Sequence, residues 1–298
     1  MKIAVHHSEV SFSPYWIEHC KRSGIDYKIV DCYRSDIIEQ LSDCDALMWH
    51  HHHMFSKDIL FAKQLLYALE MAGKVVFPDF RSGWHFDDKV GQKYLFEAIG
   101  APLIPSYVFY SEADALSWAA NTEFPKVFKL RGGSSGSNVR LAADYQQARK
   151  LIKRMFGRGF SNYNAAGILK DRYLHYKKGK ETLTGLIKGF GQLFIKTPFA
   201  RVAGHERGYA YFQDFIPGNT HDIRITFVAG KIFALRRRVR KGDFRASGGG
   251  MQEHDISKIP LEAVRIGFEV AEKLKAQNAA FDFVISEKGP VIVEVSYG

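Results

Sequence analysis

Two carboxylates, Asp282 and Glu294, stand inside the apolar runs AAFDFVIS and PVIVEVS near the end of the chain. A turn near Lys288-Gly289 makes the runs a hairpin and brings the two residues close to opposite each other. Carboxylates buried among Phe, Val and Ile repel each other unless a positive charge lies between them. A divalent cation would supply that charge. All-oxygen ligation favours Mg²⁺ over Zn²⁺, with the Ser296 hydroxyl, two residues on, as a third oxygen. A core arginine such as Arg224, Arg237 or Arg238 would serve equally well, so both readings stay open on these residues alone.

A second stretch, FPKVFKLRGGSSGSNVRLA from Phe124 to Ala142, reads as a strand ending in Lys129, a Gly/Ser run and another strand. The amides of Gly133, Ser134, Ser135, Gly136 and Ser137 can approach phosphate oxygens without side-chain obstruction. A plain hairpin turn explains the same residues. In YAYFQDFI, Asp214 and the Phe215 backbone on a strand edge could hold an adenine amino group, although Asp214 also reads as a cap. Arg224, Arg238 and Arg245 are further cations for phosphate oxygens, and Arg224 and Arg238 also read as solvated strand residues. Taken together, these pieces describe a triphosphate and its magnesium between two β-layers.

The elements that must position them fall into two patterns. Residues 1–86 alternate strands (KIAVHH, YKIVDC, ALMWHH, KVVFPD) with helices (SPYWIEHCKRSG, SDIIEQLSD, SKDILFAKQLLYALEMAG). This rhythm predicts a parallel sheet flanked by helices, with ligands beyond the carboxyl ends of the strands. Histidines follow two of those strands, His6-His7 and His50 to His53. Consecutive strand residues face opposite ways and cannot all reach one metal, so one or two of them are expected to face a substrate. From residue 87 onward the pattern becomes α+β. DDKVGQKYLFEAIG is a helix capped by Asp87 or Asp88, Ser111 caps the next helix, and another runs from Asp144 to about Met155. Antiparallel hairpins turning at Ala229-Gly230 and near Lys288-Gly289 close the chain, with PLEAVRIGFEVAEKLKA as the helix between them.

The 298 residues, 46% apolar and 25% charged, suit a globular protein of two domains. The start, MKIAVHHSEV, lacks the pattern of a secretory signal, and no apolar run is long enough to span a membrane. Cys20, Cys32 and Cys44 form an odd set without metal-ligand spacing, which points to a reducing cytoplasm. The net charge of +10 is concentrated between Gly157 and Gly208, which carries ten Lys/Arg against three acids. That basic segment, about 157–208, suits a solvated insertion or a surface for an acidic substrate. No zinc-finger, leucine-zipper or RNP pattern is present, which argues against nucleic acid.

The order of these motifs resembles the ATP-grasp superfamily, and within it the RimK-like ligases that add glutamate to protein or peptide carboxylates. KLRGGSSGSNVRLA matches the RimK lysine and flexible-loop pattern. Gln213-Asp214-Phe215-Ile216 with Asp222-Ile223-Arg224 matches the hinge. RRRVRKGDFRAS matches the block that supplies Arg237, Arg238 and Arg245, and FDFV with VEVS matches the metal strands. The resemblance covers about Asp87 to Ser296, with a weaker echo in the N-terminal sheet. It implies an α/β N-terminal pre-ATP-grasp domain (1–86) followed by an ATP-grasp domain (87–298) of two α+β subdomains. It further implies ATP and Mg²⁺ and an ADP-forming carboxylate–amine ligase working through an acylphosphate. In that reading Lys89 and Lys129 bind the α/β phosphates, and Gln213, Asp214, Phe215, Asp222 and Arg224 hold the nucleotide. Asp282, Glu294 and Ser296 hold the metal, and Arg238 and Arg245 offset charge on the transferred phosphoryl. The carboxylate would enter near His6, His7, His50 and Arg81. An acidic small molecule, peptide, protein tail or uronate-bearing glycan, with an amine co-substrate, is the expected partner set, and a homo-oligomer is compatible with it.

Three departures from the pattern stand out. Ser296 replaces the family's metal-binding Asn, the basic insertion is longer than in RimK, and the chain stops at Gly298 where relatives continue. The first and third raise the alternative of a non-catalytic ATP-binding regulatory module. Two more readings stay open: an ATP-grasp kinase, and an RNA-associated protein using Lys177, Lys178 and Lys180.

Overall fold

The computed structural model describes residues 1–133, 139–161, 204–239, 244–245 and 251–297, with isolated positions at 173, 176, 182, 184, 185 and 202. The N-terminal rhythm folds as its pattern predicts. Strands β1 (Ile3–His6), β2 (Tyr27–Val30), β3 (Ala46–Met48) and β4 (Val75–Phe77) form a parallel sheet in the order β2-β1-β3-β4. Its connections carry helices α1 (Ser13–Ser23), α2 (Ile37–Gln40) and α3 (Ser56–Met71), and the short α4 (Phe80–Gly83) follows β4. Leu41, Leu47, Trp49 and Leu66 form its core.

A second, antiparallel sheet has the order β5-β10-β6-β7, from β5 (Ser106–Phe109), β6 (Lys126–Lys129), β7 (Val139–Ala142) and β10 (Ala210–Asp214). Helices α6 (Glu112–Asn121) and α7 (Tyr145–Phe156) cover one face, burying Phe128, Phe212, Ala148 and Ile152. Ser111 and Asp144 cap them through Asp114 N and Gln147 N, the acceptor role short polar side chains fill at a helix start. A two-strand ribbon, β8 (Phe160–Ser161) with β9 (His205–Glu206), joins the chain on either side of residues 162–204. Most of the basic insertion lies outside the described residues.

The third sheet has the order β13-β12-β11-β14-β15, from β11 (His221–Val228), β12 (Lys231–Arg238), β13 (Gln252–Glu253), β14 (Asn278–Ser286) and β15 (Gly289–Ser296). The β11–β12 hairpin turns at Ala229-Gly230, both with positive φ, as a two-residue turn between twisted strands requires. Helix α8 (Leu261–Leu274) packs close on this sheet at Gly267, where an added Cβ would fall 2.6 Å from Ile225 Cγ2. Helix α5 (Lys89–Ala98), capped by Asp88, contributes Phe96 to the same core.

Three links set the layers against one another. Residues 102–104 run beside β15, with Ile292 N donating to Pro102 O and Ile104 N to Ile292 O, before the chain enters the second sheet. Gln277 ties the first sheet to the third by donating from Nε2 to Val76 O and accepting from Asp79 N. The buried Tyr297 hydroxyl donates to His51 O.

Candidate active site

A cleft opens between the second and third sheets. Ile104, Val127, Val139 and Ile216 with Val284 and Val293 supply apolar walls, and Lys89, Lys129 and Glu294 supply charge.

The carboxylate face depends on a bulge. The last hairpin pairs Ser286 with Gly289 and Phe283 with Ile292, a register that would next set Asp282 opposite Val293. It slips by one residue there, and Asp282 pairs with Glu294. An extra residue in one strand interrupts alternation. Ile292 and Val295 therefore both point into the core, while Val293 and Glu294 both line the cleft.

Asp282 and Glu294 then diverge. Arg224, on β11 directly opposite Asp282 of β14, grips it through Nε at 2.8 Å and Nη2 at 3.1 Å, and Arg237 Nη2 adds a contact at 2.8 Å. Arg237 also pairs with the fully buried Asp222. Arginine, of the two partners the sequence allowed, thus neutralises Asp282 in this state. Burial pushes its carboxyl up, but the two guanidiniums outweigh burial and hold it below the usual carboxylate range. Glu294 lies 3.0 Å from Lys89 Nζ, which also donates to Gly133 O at 2.7 Å.

Lys89 and Lys129 are both buried. Burial pulls Lys89 down, but the charges of Glu294 and Asp87 outweigh it and hold the ammonium above its ordinary value. Lys129 lacks such compensation: burial lowers it to about 8, Glu294 offsets part of this, and the Lys89 charge adds to the fall. Two buried lysines sharing one cleft carboxylate make a site short of negative charge, which favours an anion.

Of the residues singled out from sequence, Lys89, Lys129, Gly133, Gln213, Asp214, Phe215, Arg245 and Glu294 line this cleft. Ser134, Ser135 and Gly136 lie outside the described residues, as do Lys177, Lys178 and Lys180. Several expectations need correction. Asp214 ends a central strand rather than lying on an edge, since β10 pairs with both β5 and β6, and its carboxylate takes Lys126 Nζ at 2.5 Å. The Gln213 side-chain amide is already committed to Ser106 Oγ and Tyr211 Oη. Asp222 and Arg224 do not line the cleft, because each is drawn into the ion-pair network beneath it. Arg238 points elsewhere, its exposed guanidinium 3.0 Å from Glu253. Ser296 pairs in register with Ala280 and is not among the lining residues.

The histidine run is mostly a packing element. His50 stacks on Phe12 at 3.9 Å, and His51 packs on Phe86 and Tyr297. Burial lowers them to about 4 and about 3, so both are neutral near pH 7. Among the described residues no group of three or more His, Cys, Asp or Glu is placed to hold a metal. His6 and His7 line a separate groove at the ends of β1 and β2 with Asp31, Tyr33 and Lys57. Sequence reading missed Glu206 as a site residue and knew Asp87 only as a helix cap. Both carboxylates bind amides of the glycine-rich loop, and nothing in their sequence neighbourhood marks that partner.

Residues 207–297 match the RimK-like ATP-grasp domain. Across the whole chain, the structure is similar to a RimK domain protein from Sphaerobacter thermophilus (TM-score 0.60, 14% identity, covering 99% of this chain and 90% of that one). The fold is ATP-grasp. The D-alanine–D-alanine ligase of Bacillus anthracis, complexed with ATP, superposes with TM-score 0.58 at 14% identity over 100% and 86% of the two chains. The ATP-grasp ligase PsnB, complexed with minimal precursor, Mg and ADP, gives 0.54 at 12% identity over 99% and 88%. No curated protein matches the sequence. The cleft described above lies between the two antiparallel sheets of that fold. No helix among the described residues is long and apolar enough to cross a membrane.

Proposed function

We propose that this chain is an ATP-dependent carboxylate–amine ligase, organised as a 1–86 domain and an 87–298 ATP-grasp domain. The observation that carries this reading is the convergence of buried Lys89 and Lys129 on Glu294 at one end of an apolar cleft between two antiparallel sheets. An apolar slot ending in two cations fits a purine and its polyphosphate. Glu294 and its cross-strand partner Asp282 would hold Mg²⁺, which supplies charge neutralisation on the phosphates when bound. Asp282 would join that set only if Arg224 and Arg237 released it, since both hold it in the structure.

In the reaction proposed, an oxygen of the acceptor carboxylate takes the γ-phosphoryl of ATP and ADP leaves. The amine nitrogen then forms a C–N bond, the C–O bond to phosphate breaks, and one proton leaves the nitrogen. Lys89, Lys129 and Arg245 position phosphate oxygens and offset their charge, and the apolar walls exclude water from the reactive acyl group. The acceptor class supported by the +10 charge is acidic: a peptide, a protein tail or a uronate. ADP release with ATP, Mg²⁺ and hydroxylamine across a panel of acidic peptides and uronic acids tests it. Hydroxamate on one carboxylate, lost in Glu294→Gln, is the expected result, and failure to bind ATP would overturn it.

One observation favours a second reading, a nucleotide-binding module without turnover: both arginines nearest the metal strands are committed to Asp282. Mg²⁺-dependent nucleotide binding with no ADP from any acceptor, and no phosphate transfer that would mark a kinase, would select it.

A further inference from the structure

Three successive amides begin the glycine-rich loop, and in this chain all three are bound to carboxylates. Arg131 N donates to Glu206 Oε2 at 2.9 Å and to Tyr209 Oη at 2.6 Å. Gly132 N donates to Glu206 Oε1 at 3.1 Å, and Gly133 N to Asp87 Oδ1 at 2.7 Å. Consecutive backbone N–H groups of this kind form an anion-binding concavity. Its capacity is spent on protein carboxylates, so the loop's root is an anchor and not itself a phosphate cradle.

We infer that Glu206 is the positioning residue of the cleft: it holds the loop root in the one orientation that places Lys89. The inference rests on the nucleotide reading proposed above. The coupling runs through a single peptide unit. The N–H of Gly132 points to Glu206, and the carbonyl of the same peptide, Arg131 O, accepts from Lys89 N at 2.9 Å. Two residues on from Arg131, Gly133 O accepts from Lys89 Nζ at 2.7 Å. Rotation of the 131–132 peptide away from Glu206 would withdraw the acceptor at the start of α5 and loosen the ammonium from its place beside Glu294.

The surroundings are built around this contact. Tyr209, buried and with its hydroxyl raised first by burial and then by the Glu206 charge, stays protonated and donates to Glu206. Gly132 fits closely there: an added Cβ would fall 3.2 Å from Glu206 Oε1 and 3.5 Å from Asp87 Oδ2, so a side chain at 132 would press on both carboxylates. Gly159 admits the Glu206 backbone, its own added Cβ falling 2.4 Å from Glu206 O. Glu206 also belongs to β9, the strand that brings the chain back from the basic insertion. The return of that insertion and the placement of a cleft lysine thus share one side chain.

The test compares wild type with Glu206→Gln, Glu206→Ala and Tyr209→Phe. It measures MgADP affinity by calorimetry, amide exchange at 131–133 without nucleotide, and KM for ATP against kcat. Loss of charge-assisted hydrogen bonds should weaken MgADP about tenfold or more in Glu206→Ala. Glu206→Gln, which keeps one acceptor oxygen, and Tyr209→Phe should lose less. KM for ATP should rise more than kcat falls, and exchange at Arg131 and Gly132 should quicken more than at Gly133, which Asp87 holds. Tyr209→Phe keeps the carboxylate and covers the case in which Glu206→Ala does not fold. Unchanged MgADP affinity in well-folded Glu206 variants would overturn the inference while leaving the nucleotide reading intact. Tighter binding would also overturn it, because it would make Glu206 a stand-in that phosphate displaces. A wild-type chain that binds no nucleotide would instead remove the reading beneath it.

Discussion

Asp282 and Glu294 face each other across one rung of the last hairpin, yet they belong to regions of opposite electrical character. Asp282 sits in a network of two carboxylates and two guanidiniums with Asp222, Arg224 and Arg237, which neutralises itself beneath the cleft. Glu294 meets two buried lysines at the cleft surface and, among the described residues lining it, leaves one positive charge in excess. The closed network supports the third sheet, whereas the open cluster has binding energy to offer an incoming anion. A buried charge that loses its partner is far more costly than one with water or ligand access.

The largest effect expected from this contrast is on stability. Asp282→Asn leaves two guanidiniums against one carboxylate and should cost about 3–5 kcal/mol. Glu294→Gln removes the nearer counter-charge of buried Lys89 but leaves it Asp87 and Gly133 O, and should cost less, about 1–3 kcal/mol. Thermal melts of the two variants check this, and equal losses would dissolve the distinction between the regions.

Next in size is the effect on binding. Lys129→Met should weaken MgADP about 10–100-fold, the worth of a charge-assisted contact, with stability unchanged or improved. Calorimetry and a melt on the same sample read both quantities. A parallel fall in both would mean that Lys129 is structural.

A pH series sharpens the same point. The Lys129 ammonium has a folded value of about 8 against an ordinary 10.5, so between these limits the unfolded chain binds more protons. Its contribution to stability therefore rises with pH across that window, and below pH 8 its charge is a full cost to the fold. Nucleotide affinity should move the other way, falling as pH passes about 8. Lys129→Met should flatten both trends, and an affinity profile that stays unchanged in the variant would assign the titration elsewhere.

The smallest effect belongs to Arg238. Its guanidinium is exposed beside Glu253, so Arg238→Ala should change stability by about 1 kcal/mol or less and leave MgADP affinity within about twofold. A large loss of affinity would show that Arg238 swings into the cleft on binding.

Much of the fold was legible in residue order because periodicity and turn chemistry are local. The βαβ alternation, a cap at Asp87 or Asp88 (Asp88 in the structure), the Ser111 cap, the helix beginning at Asp144 and the turn at Ala229-Gly230 each depend on neighbours a few residues apart. The cleft lysines and Glu294 were legible for a different reason, a motif order that resembles one superfamily. The pairing of Asp282 was not legible: Arg224, Arg237 and a metal ion were equally good partners in chemistry, and only strand register placed two arginines against it.

By itself, the sequence determined which segments become strands and helices, where they turn, and that lysine and carboxylate chemistry would meet late in the chain. Only the tertiary structure decided how those groups divide. A one-residue bulge sets Glu294, and not Val293, opposite Asp282. Glu206, 75 residues from Arg131, holds the loop that holds Lys89. Such contacts depend on distance in space between residues remote in the chain, which local propensity and pattern do not encode.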